Sequence, residues 1–357
     1  MKRVLVTDDS TFMRGILSSA LKDAGFDVVG AARDGDEALE MCQRLRPEAM
    51  TLDLHMPKLD GLGVLRRLKA QGGGEIPVVV VSAFSPAHGA RAVDALAEGA
   101  FDLVQKPDAA SPDALTGFLD ILKAKVSQAV ANGERRNGSA AMLNGRRTTD
   151  PRSATAAPAR VARPVARRGG SQRAVMIACS TGGPKALASL VPALPAQLGA
   201  GTLLVQHMPA GFTHSLAARL DKASSINVSE AEGGEPLRPD RVLIAPGGKH
   251  VRMGADRRTK LSDEAEVGGL RPRADITIED MAAAYGERLL LVVLTGMGRD
   301  GLVGAEAVKK RGGRILAEHE STCTVYGMPR AVVEADLADD VLTLDELPEA
   351  IAAEAAS

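Results

Sequence analysis

Apolar residues along the chain follow two alternating rhythms. The short runs Arg3-Val4-Leu5-Val6-Thr7, Ala49-Met50-Thr51-Leu52 and Val78-Val79-Val80-Val81 are continuous rather than alternating, the pattern of strands covered on both faces. Between them, Phe12 to Lys22, Asp36 to Leu45 and Arg91 to Leu96 carry apolar residues at helical spacing. This alternation from Lys2 to about Gln128 predicts a doubly wound α/β domain. The rhythm resumes beyond Gln172: Ala174-Val175-Met176-Ile177, Leu203-Leu204-Val205, Val242-Leu243-Ile244 and Leu289 to Leu294 read as buried strands. Helices are expected at Pro184 to Leu194, Ile276 to Tyr285 and Leu302 to Lys310, so a second α/β domain with a mainly parallel sheet is predicted.

Between the two patterned regions, from about Gly133, the chain turns to Arg, Ala, Gly, Pro, Ser and Thr and nearly loses its large apolar residues. Such a stretch cannot offset its ordering entropy and is expected to be a flexible linker. The expected division is a first domain over 1–128, a flexible basic linker over 129–172 and a second domain over 173–350. Pairs such as Arg146-Arg147 would also suit a basic arm on DNA or an acidic partner, but no aromatic residues for base stacking and no helix-turn-helix pattern accompany them.

Composition narrows the class without naming the chemistry. Lys and Arg (44) nearly cancel Asp and Glu (45), so no overall field marks a nucleic-acid or membrane binder. Three scattered cysteines, Cys42, Cys179 and Cys323, give neither a disulfide framework nor a zinc-ligand spacing. No stretch approaches the ~20 apolar residues of a membrane span, and the N-terminal apolar run is too short for a signal peptide. A cytoplasmic location without membrane insertion is expected.

Chemistry first gathers at the strand ends of the first domain. Asp8 and Asp9 follow the first strand, Asp53 the third, and Ser82 and Lys106 close the fourth and fifth. In a parallel sheet these ends share one edge, where open α/β folds bind ligands. Three carboxylates there repel one another unless a cation neutralises them, and oxygen ligands with room for water suit Mg²⁺. Helix N-capping is the plainer reading of any single one, through Asp8, Asp9 or Ser10 before the first helix. Five matching residues on four strand ends are not explained that way.

Together with Asp53-Leu54-His55-Met56-Pro57, Asp60-Gly61 and Lys106-Pro107, this arrangement resembles the receiver domain of two-component response regulators, of flavodoxin-like fold. The resemblance implies that Asp53 accepts a phosphoryl group from a histidine kinase, and that Asp9, Asp53 and the His55 carbonyl hold Mg²⁺. It also implies that Asp8 assists through water and that Ser82 and Lys106 contact the phosphoryl oxygens. Leu103 stands where many receivers carry an aromatic switch residue, so an aromatic-flip relay does not carry over; Phe101 is expected in the core.

In the second domain the strand ending at Cys179 runs into Ser180-Thr181-Gly182-Gly183-Pro184. Proline suits the first helical turn, the glycines allow close backbone approach, and free N–H groups make a pocket for an anion or a developing oxyanion. Alone, the stretch fits N-capping, phosphate binding or nucleophilic catalysis equally; the Walker A and Gly-x-Ser-x-Gly patterns are both missing. Two other strand ends add partners: His207 after Leu203 to Gln206, and Asp300 after Leu291 to Leu294 and a glycine-rich turn. Parallel strands would gather Ser180, His207 and Asp300 at one edge, in the arrangement of a nucleophile, its base and the carboxylate that orients the base. Asp300 could instead cap the helix starting near Leu302, His214, His250 and His319 are rival bases, and Cys179 is a rival nucleophile that its apolar strand favours as a small buried residue.

Ser180-Thr181-Gly182-Gly183-Pro184, Gln206-His207-Met208-Pro209, Ile244-Ala245-Pro246-Gly247-Gly248, Leu294 to Gly301 and Tyr326-Gly327-Met328-Pro329 resemble the catalytic domain of the chemotaxis protein-glutamate methylesterases, the CheB family. The resemblance spans about 173 to 345 and implies a Rossmann-like, mainly parallel hydrolase domain with a Ser180-His207-Asp300 triad and oxyanion contacts from the Thr181 and Met297 regions. It implies hydrolysis of glutamyl methyl esters on methyl-accepting chemotaxis receptors and deamidation of receptor glutamines, with no cofactor for the esterase chemistry. Arg271, Arg273 and Arg299 could meet an acidic receptor surface, although a solvated charge is the plainer reading of each, and in the family's pattern the unphosphorylated receiver packs over the catalytic cleft. The rival readings are a non-enzymatic adaptor, which would have no need of all three triad residues, and a DNA-binding regulator, which would need a recognition helix where the sequence shows strands.

Overall fold

The structure is a computed structural model that describes residues 1–70, 76–83, 86–107, 112–145 and 172–357, with backbone alone for 86–88, 112–113 and 134–145. The first domain runs β1 (Arg3–Thr7), α1 (Thr11–Asp23), β2 (Asp27–Ala32), α2 (Gly35–Leu45), β3 (Ala49–Leu52), α3 (Gly61–Ala70), β4 (Val78–Ser82), α4 (Pro86–Glu98), β5 (Asp102–Gln105) and α5 (Pro112–Gly145). Its five strands are all parallel in the order β2-β1-β3-β4-β5, the flavodoxin-like doubly wound arrangement. The continuous apolar runs are explained by burial on both faces: every residue of β3 and β4 is buried. Ser10 is the N-cap of α1, its hydroxyl accepting from the Met13 amide, which frees Asp8 and Asp9 from that role. Phe101 lies in the core as expected.

The second domain runs β6 (Ala174–Cys179), α6 (Gly183–Leu190), β7 (Thr202–Gln206), α7 (Phe212–Ala223), β8 (Asn227–Glu230), β9 (Arg241–Ile244), β10 (His250–Met253), β11 (Thr259–Ser262), α8 (Ala274–Tyr285), β12 (Leu289–Val293), α9 (Leu302–Lys310), β13 (Arg314–Glu318), α10 (Met328–Glu334), β14 (Asp340–Leu342) and α11 (Leu347–Ala355). Seven strands form one wholly parallel sheet, β14-β13-β12-β6-β7-β9-β8, and β10 pairs antiparallel with β11 as a separate hairpin that the apolar pattern does not reveal. Strand β6 sits in the middle, with its sequence successor β7 on one side and the distant β12 on the other. The chain reverses its direction of winding there, and the crevice above such a reversal is where open α/β sheets place ligands.

Three boundaries differ from the sequence expectation. Helix α5 continues to Gly145, past the expected domain end at 128, and α11 carries packed structure to Ala355, past 350, with Leu347, Ile351 and Ala355 buried. Helix α6 ends at Leu190 and a 3₁₀ turn over Val191–Ala193 completes the stretch read as one helix; Pro184 is its second residue rather than its first. The linker expectation for 146–171 lies outside the described residues. The domains meet where α4 packs against α6 and α7, and the apolar core continues from Ala92 and Val93 of the first domain toward Phe212 and Leu216 of the second.

Candidate functional site

Strand register brings the three expected residues of the second domain together. Cys179 of β6 is paired with Gln206 of β7, so Ser180 and His207 leave adjacent strands side by side. On the other flank Ala178 pairs with Val293, which sets the loop after β12 beside the same spot; the Ser180 amide donates to the Thr295 carbonyl at 3.0 Å. From that loop Asp300 reaches His207, with Nε2 2.7 Å from Asp300 Oδ2 and both side chains nearly excluded from solvent. Burial opposes ionisation of Asp300, but the His207 contact and the Ala274 and Asp275 amides outweigh it and hold the carboxyl down, to about 2. Asp300 therefore faces a histidine rather than its own helix, and α9 has Gly301, which carries no capping side chain, at its N-cap.

The rivals fall elsewhere. His214 is exposed, 3.8 Å from Glu230, and His319 is exposed with Nδ1 2.8 Å from the Ser321 hydroxyl. His250 is buried, and its Nδ1 accepts the Arg273 amide at 3.2 Å. Cys179 is fully buried, its Sγ 3.0 Å from Gln206 Oε1, and burial pushes its thiol up, so it is packed rather than poised.

The glycines are needed for close approach. Gly182 has φ of 81°, and a Cβ on Gly183 would stand 1.9 Å from Gln206 Oε1. That glutamine, which sequence reasoning passed over, donates from Nε2 to the carbonyls of both Ser180 (2.9 Å) and His207 (3.1 Å) and so ties the two strand ends together. Thr295 is a second missed residue: its hydroxyl donates to the Thr181 carbonyl at 2.9 Å, and its amide donates to Glu318, a carboxylate with no exposed surface. Burial pushes the Glu318 carboxyl up. A polar residue at a strand end was the only available signal for either.

Thr181 is buried and Met297 is half exposed beside Ser180, and neither backbone amide has an acceptor among the described residues. Arg271 and Arg273 do not reach outward as expected. Arg271 Nη1 donates to the Asp263 and Glu264 carbonyls at 3.4 and 3.1 Å, and Arg273 pairs with Asp275 at 2.7 Å. Arg299 is exposed.

The acidic pocket of the first domain forms at the carboxyl edge of β1, β3, β4 and β5. Carboxylate oxygens of Asp8, Asp9 and Asp53 lie within 4.8 Å of one another, and Lys106 Nζ is 2.7 Å from both Asp53 Oδ2 and Asp8 Oδ2. Burial pushes the Asp8 carboxyl up against the pull of Lys106. It also disfavours the Lys106 ammonium, but Asp53 and Asp8 outweigh that and hold its pKa up. The Ser82 side chain is buried at the same edge, and the His55 amide donates to Asp53 Oδ1 at 3.2 Å. An all-oxygen donor set this close fits a hard divalent cation.

The two sites are physically joined. Thr181, next to Ser180, donates its hydroxyl hydrogen to Asp102 Oδ2 of β5 at 2.5 Å, and Gln128 and Asn132 of α5 hydrogen-bond Met297 and the Thr324 carbonyl. Arg219 of α7 pairs with Asp94 of α4. The first domain thus covers the loops beside Ser180.

A doubly wound domain with an acidic pocket is thus joined to a parallel α/β domain that carries Ser180, His207 and Asp300 at its switch point. Residues 4–116 match the response regulator receiver domain family model and residues 175–351 match the CheB methylesterase model. The chain is 45% identical, over 98% of its length and 96% of the relative's, to a protein-glutamate methylesterase/protein-glutamine glutaminase of Symbiobacterium thermophilum. It is 39% identical to a protein of the same name from Pyrococcus abyssi, over 98% and 92% of the two lengths. Among solved structures, the Thermotoga maritima CheB methylesterase catalytic domain is similar at 43% identity over 51% of this chain and 98% of that one, with a TM-score of 0.49. The chain belongs to the CheB methylesterase family.

Proposed function

We propose that this chain hydrolyses glutamyl methyl esters, and deamidates glutamines, on methyl-accepting chemotaxis receptors, with Ser180 as nucleophile, His207 as base and Asp300 as the group that orients it. The observation that carries the reading is His207 Nε2 at 2.7 Å from the buried Asp300 carboxylate, on the strand next to the one that ends at Ser180. With Nε2–H committed to Asp300, Nδ1 is the nitrogen left to take the serine proton. Ser180 Oγ attacks the ester carbonyl carbon, its proton passes to His207, and the carbonyl oxygen becomes an oxyanion near the unpaired Thr181 and Met297 amides. Collapse breaks the bond to the leaving oxygen, which takes the proton from His207 and departs as methanol. Water, deprotonated by His207, then attacks the glutamyl-serine carbonyl; collapse breaks the acyl–Oγ bond, Ser180 Oγ takes the proton back from His207, and the receptor glutamate is released. A glutamine substrate follows the same path with ammonia leaving. None of these steps needs a cofactor.

Activity is gated by the receiver. A chemotaxis histidine kinase is the phosphodonor and Asp53 the acceptor; Asp9, Asp53 and the His55 carbonyl would hold Mg²⁺, with Asp8 in the same carboxylate cluster, and the cation would supply positive charge for the incoming phosphoryl oxygens. Ser82 and Lys106 are placed to contact those oxygens. Since Asp102 and α5 hold the loops beside Ser180, the packed state restricts the receptor's approach and phosphorylation releases it. The protein acts in the cytoplasm, with neither nucleic acid nor membrane insertion involved; among the described residues no helix is long and apolar enough to cross a membrane.

The test is methanol release from membranes carrying methylated receptors, comparing the intact chain with Ser180→Ala, each with and without a small-molecule phosphodonor and Mg²⁺. Release that requires Ser180 and rises with phosphodonor is expected. A folded, phosphorylated protein that releases nothing from several receptors would point instead to an adaptor.

A further inference from the structure

The carboxylate that holds His207 is itself held by a second carboxylate and a guanidinium that the hydrolytic scheme does not use. Asp300 immediately precedes α9, yet it accepts the Ala274 and Asp275 amides at the start of α8, at 2.7 and 2.9 Å. Asp275, in the first turn of α8, returns the contact: its Oδ1 accepts the Gly301 and Gly304 amides at the start of α9, at 2.8 and 2.9 Å. Each acid therefore satisfies amides that the other's helix leaves without a partner. Arg273 stands between them, with Nη2 2.7 Å from Asp275 Oδ2 and Nε 3.5 Å from Asp300 Oδ1. The Arg273 guanidinium is further fixed by Nη1 donating to the Val267 carbonyl, and its amide is held by His250 Nδ1.

We infer that Arg273 and Asp275 are positioning residues that set how much of the Asp300 charge is available to His207. The inference rests on the reading of Ser180, His207 and Asp300 as a triad. Two buried carboxylates this close share one cation, and whichever the cation leaves keeps more of its charge for another partner. Asp275 takes the shorter contact with Arg273, so the Asp300 charge is left to the imidazole. Burial pushes the Asp275 carboxyl up while Asp300 is held down, which agrees with Asp300 being the acid that stays ionised. The charged and titratable groups facing Asp300 are His207, Asp275 and Arg273, with His250 acting through the Arg273 amide and Arg299 turned to solvent.

Two variants push this balance in opposite directions. In Asp275→Asn the side-chain oxygen still accepts the Gly301 and Gly304 amides, but Arg273 loses its closer partner and turns to Asp300, competing with His207. In Arg273→Gln both carboxylates lose their cation and the negative charge beside His207 rises. The acid limb of kcat against pH, measured on the full chain with saturating phosphodonor and receptor membranes, is expected to move to lower pH in Asp275→Asn and to higher pH in Arg273→Gln, by roughly half a unit to one unit each. The ¹⁵N titration of the His207 imidazole is expected to move with the same two signs. A merely structural role would lower kcat in both variants and leave the limb in place. Limbs and imidazole titrations that stay put, or move the same way in both, would overturn the inference. Should Asp275→Asn not fold, Arg273→Gln decides alone, since only an upward shift agrees. If the parent activity survives Ser180→Ala, the triad reading has failed; if Ser180 is required and the limbs do not move, only the positioning role has.

Discussion

Thr181 and Asp102, from different domains, share a hydrogen bond of 2.5 Å, so the residue after the proposed nucleophile is tied directly to the receiver. Asp102 opens β5, the strand whose far end leads to Lys106 and its contact with Asp53. Three residues, Leu103 to Gln105, thus separate Asp102 beside the covered cleft from Lys106 in the acidic pocket. A hydroxyl-to-carboxylate bond of this kind contributes about 1.5–3 kcal/mol. Removing it in Asp102→Ala is expected to raise methanol release without phosphodonor by about tenfold, since an opening equilibrium shifts tenfold for each ~1.4 kcal/mol. Unchanged basal release would place the restraint elsewhere, in Gln128, Asn132 or Arg219.

Asp53→Asn separates gate from chemistry. Lys106 keeps an ion pair with Asp8, so the pocket retains a partner for its cation and the fold is expected to hold. Basal, Ser180-dependent release should match the parent, while the response to phosphodonor disappears. Stimulation that persists in Asp53→Asn would show that phosphorylation occurs at another residue or that the phosphodonor acts by a different route.

Much of this was legible in the chain because strand ends and sheet topology are encoded together. Continuous apolar runs mark two-sided burial, and in a parallel sheet each run hands its next residue to one edge; that is why Asp8, Asp53, Lys106, Ser180 and His207 could be placed at the carboxyl edges of their sheets from the strand pattern. What stayed hidden has a physical reason too. The β10-β11 hairpin lies outside the main sheet and half of its residues are not buried, so it lacks the signature of a buried strand. Gln206, Glu318, Asp275 and Asp102 act through partners distant in sequence, which no local pattern announces. Arg273 resembles any surface arginine until the fold turns it toward two carboxylates.

Glu318 should lower stability at neutral pH. Its Oε2 accepts the Thr295 amide at 2.7 Å, but Oε1 is buried without a hydrogen-bond partner among the described residues, and burial pushes the carboxyl up. A folded-state pKa above the unfolded one means that its favourable contribution is complete below the unfolded value, near ~4.3, and is lost as pH rises through the folded value. Glu318→Gln keeps an oxygen for Thr295 and removes the charge. Urea denaturation is expected to show the variant more stable at pH 7 by about 1 kcal/mol, with the gain vanishing below pH ~4. A gain that persists unchanged at acid pH would mean that packing, not ionisation, is the cause.

Gly183 is where packing and catalysis meet most tightly. A methyl group there would stand 1.9 Å from Gln206 Oε1 and 3.1 Å from the Cys179 Cβ, so the glutamine must move. Its flexible end can retreat, which limits the stability cost of Gly183→Ala to about 1–3 kcal/mol, the usual range for overpacking. The retreat is not free for the site, because Gln206 Nε2 holds the carbonyls of Ser180 and His207 together. Gly183→Ala is therefore expected to lower kcat at least tenfold with little change in KM, in a protein that still folds. Gln206→Ala should produce the same loss by removing the tie directly. The double variant makes room for the methyl group where the tie is already gone, so it should be no slower than Gln206→Ala alone. Additive losses in that cycle would mean that the glycine acts on Ser180 by another path, through the positive φ of Gly182 or the start of α6 rather than through the glutamine.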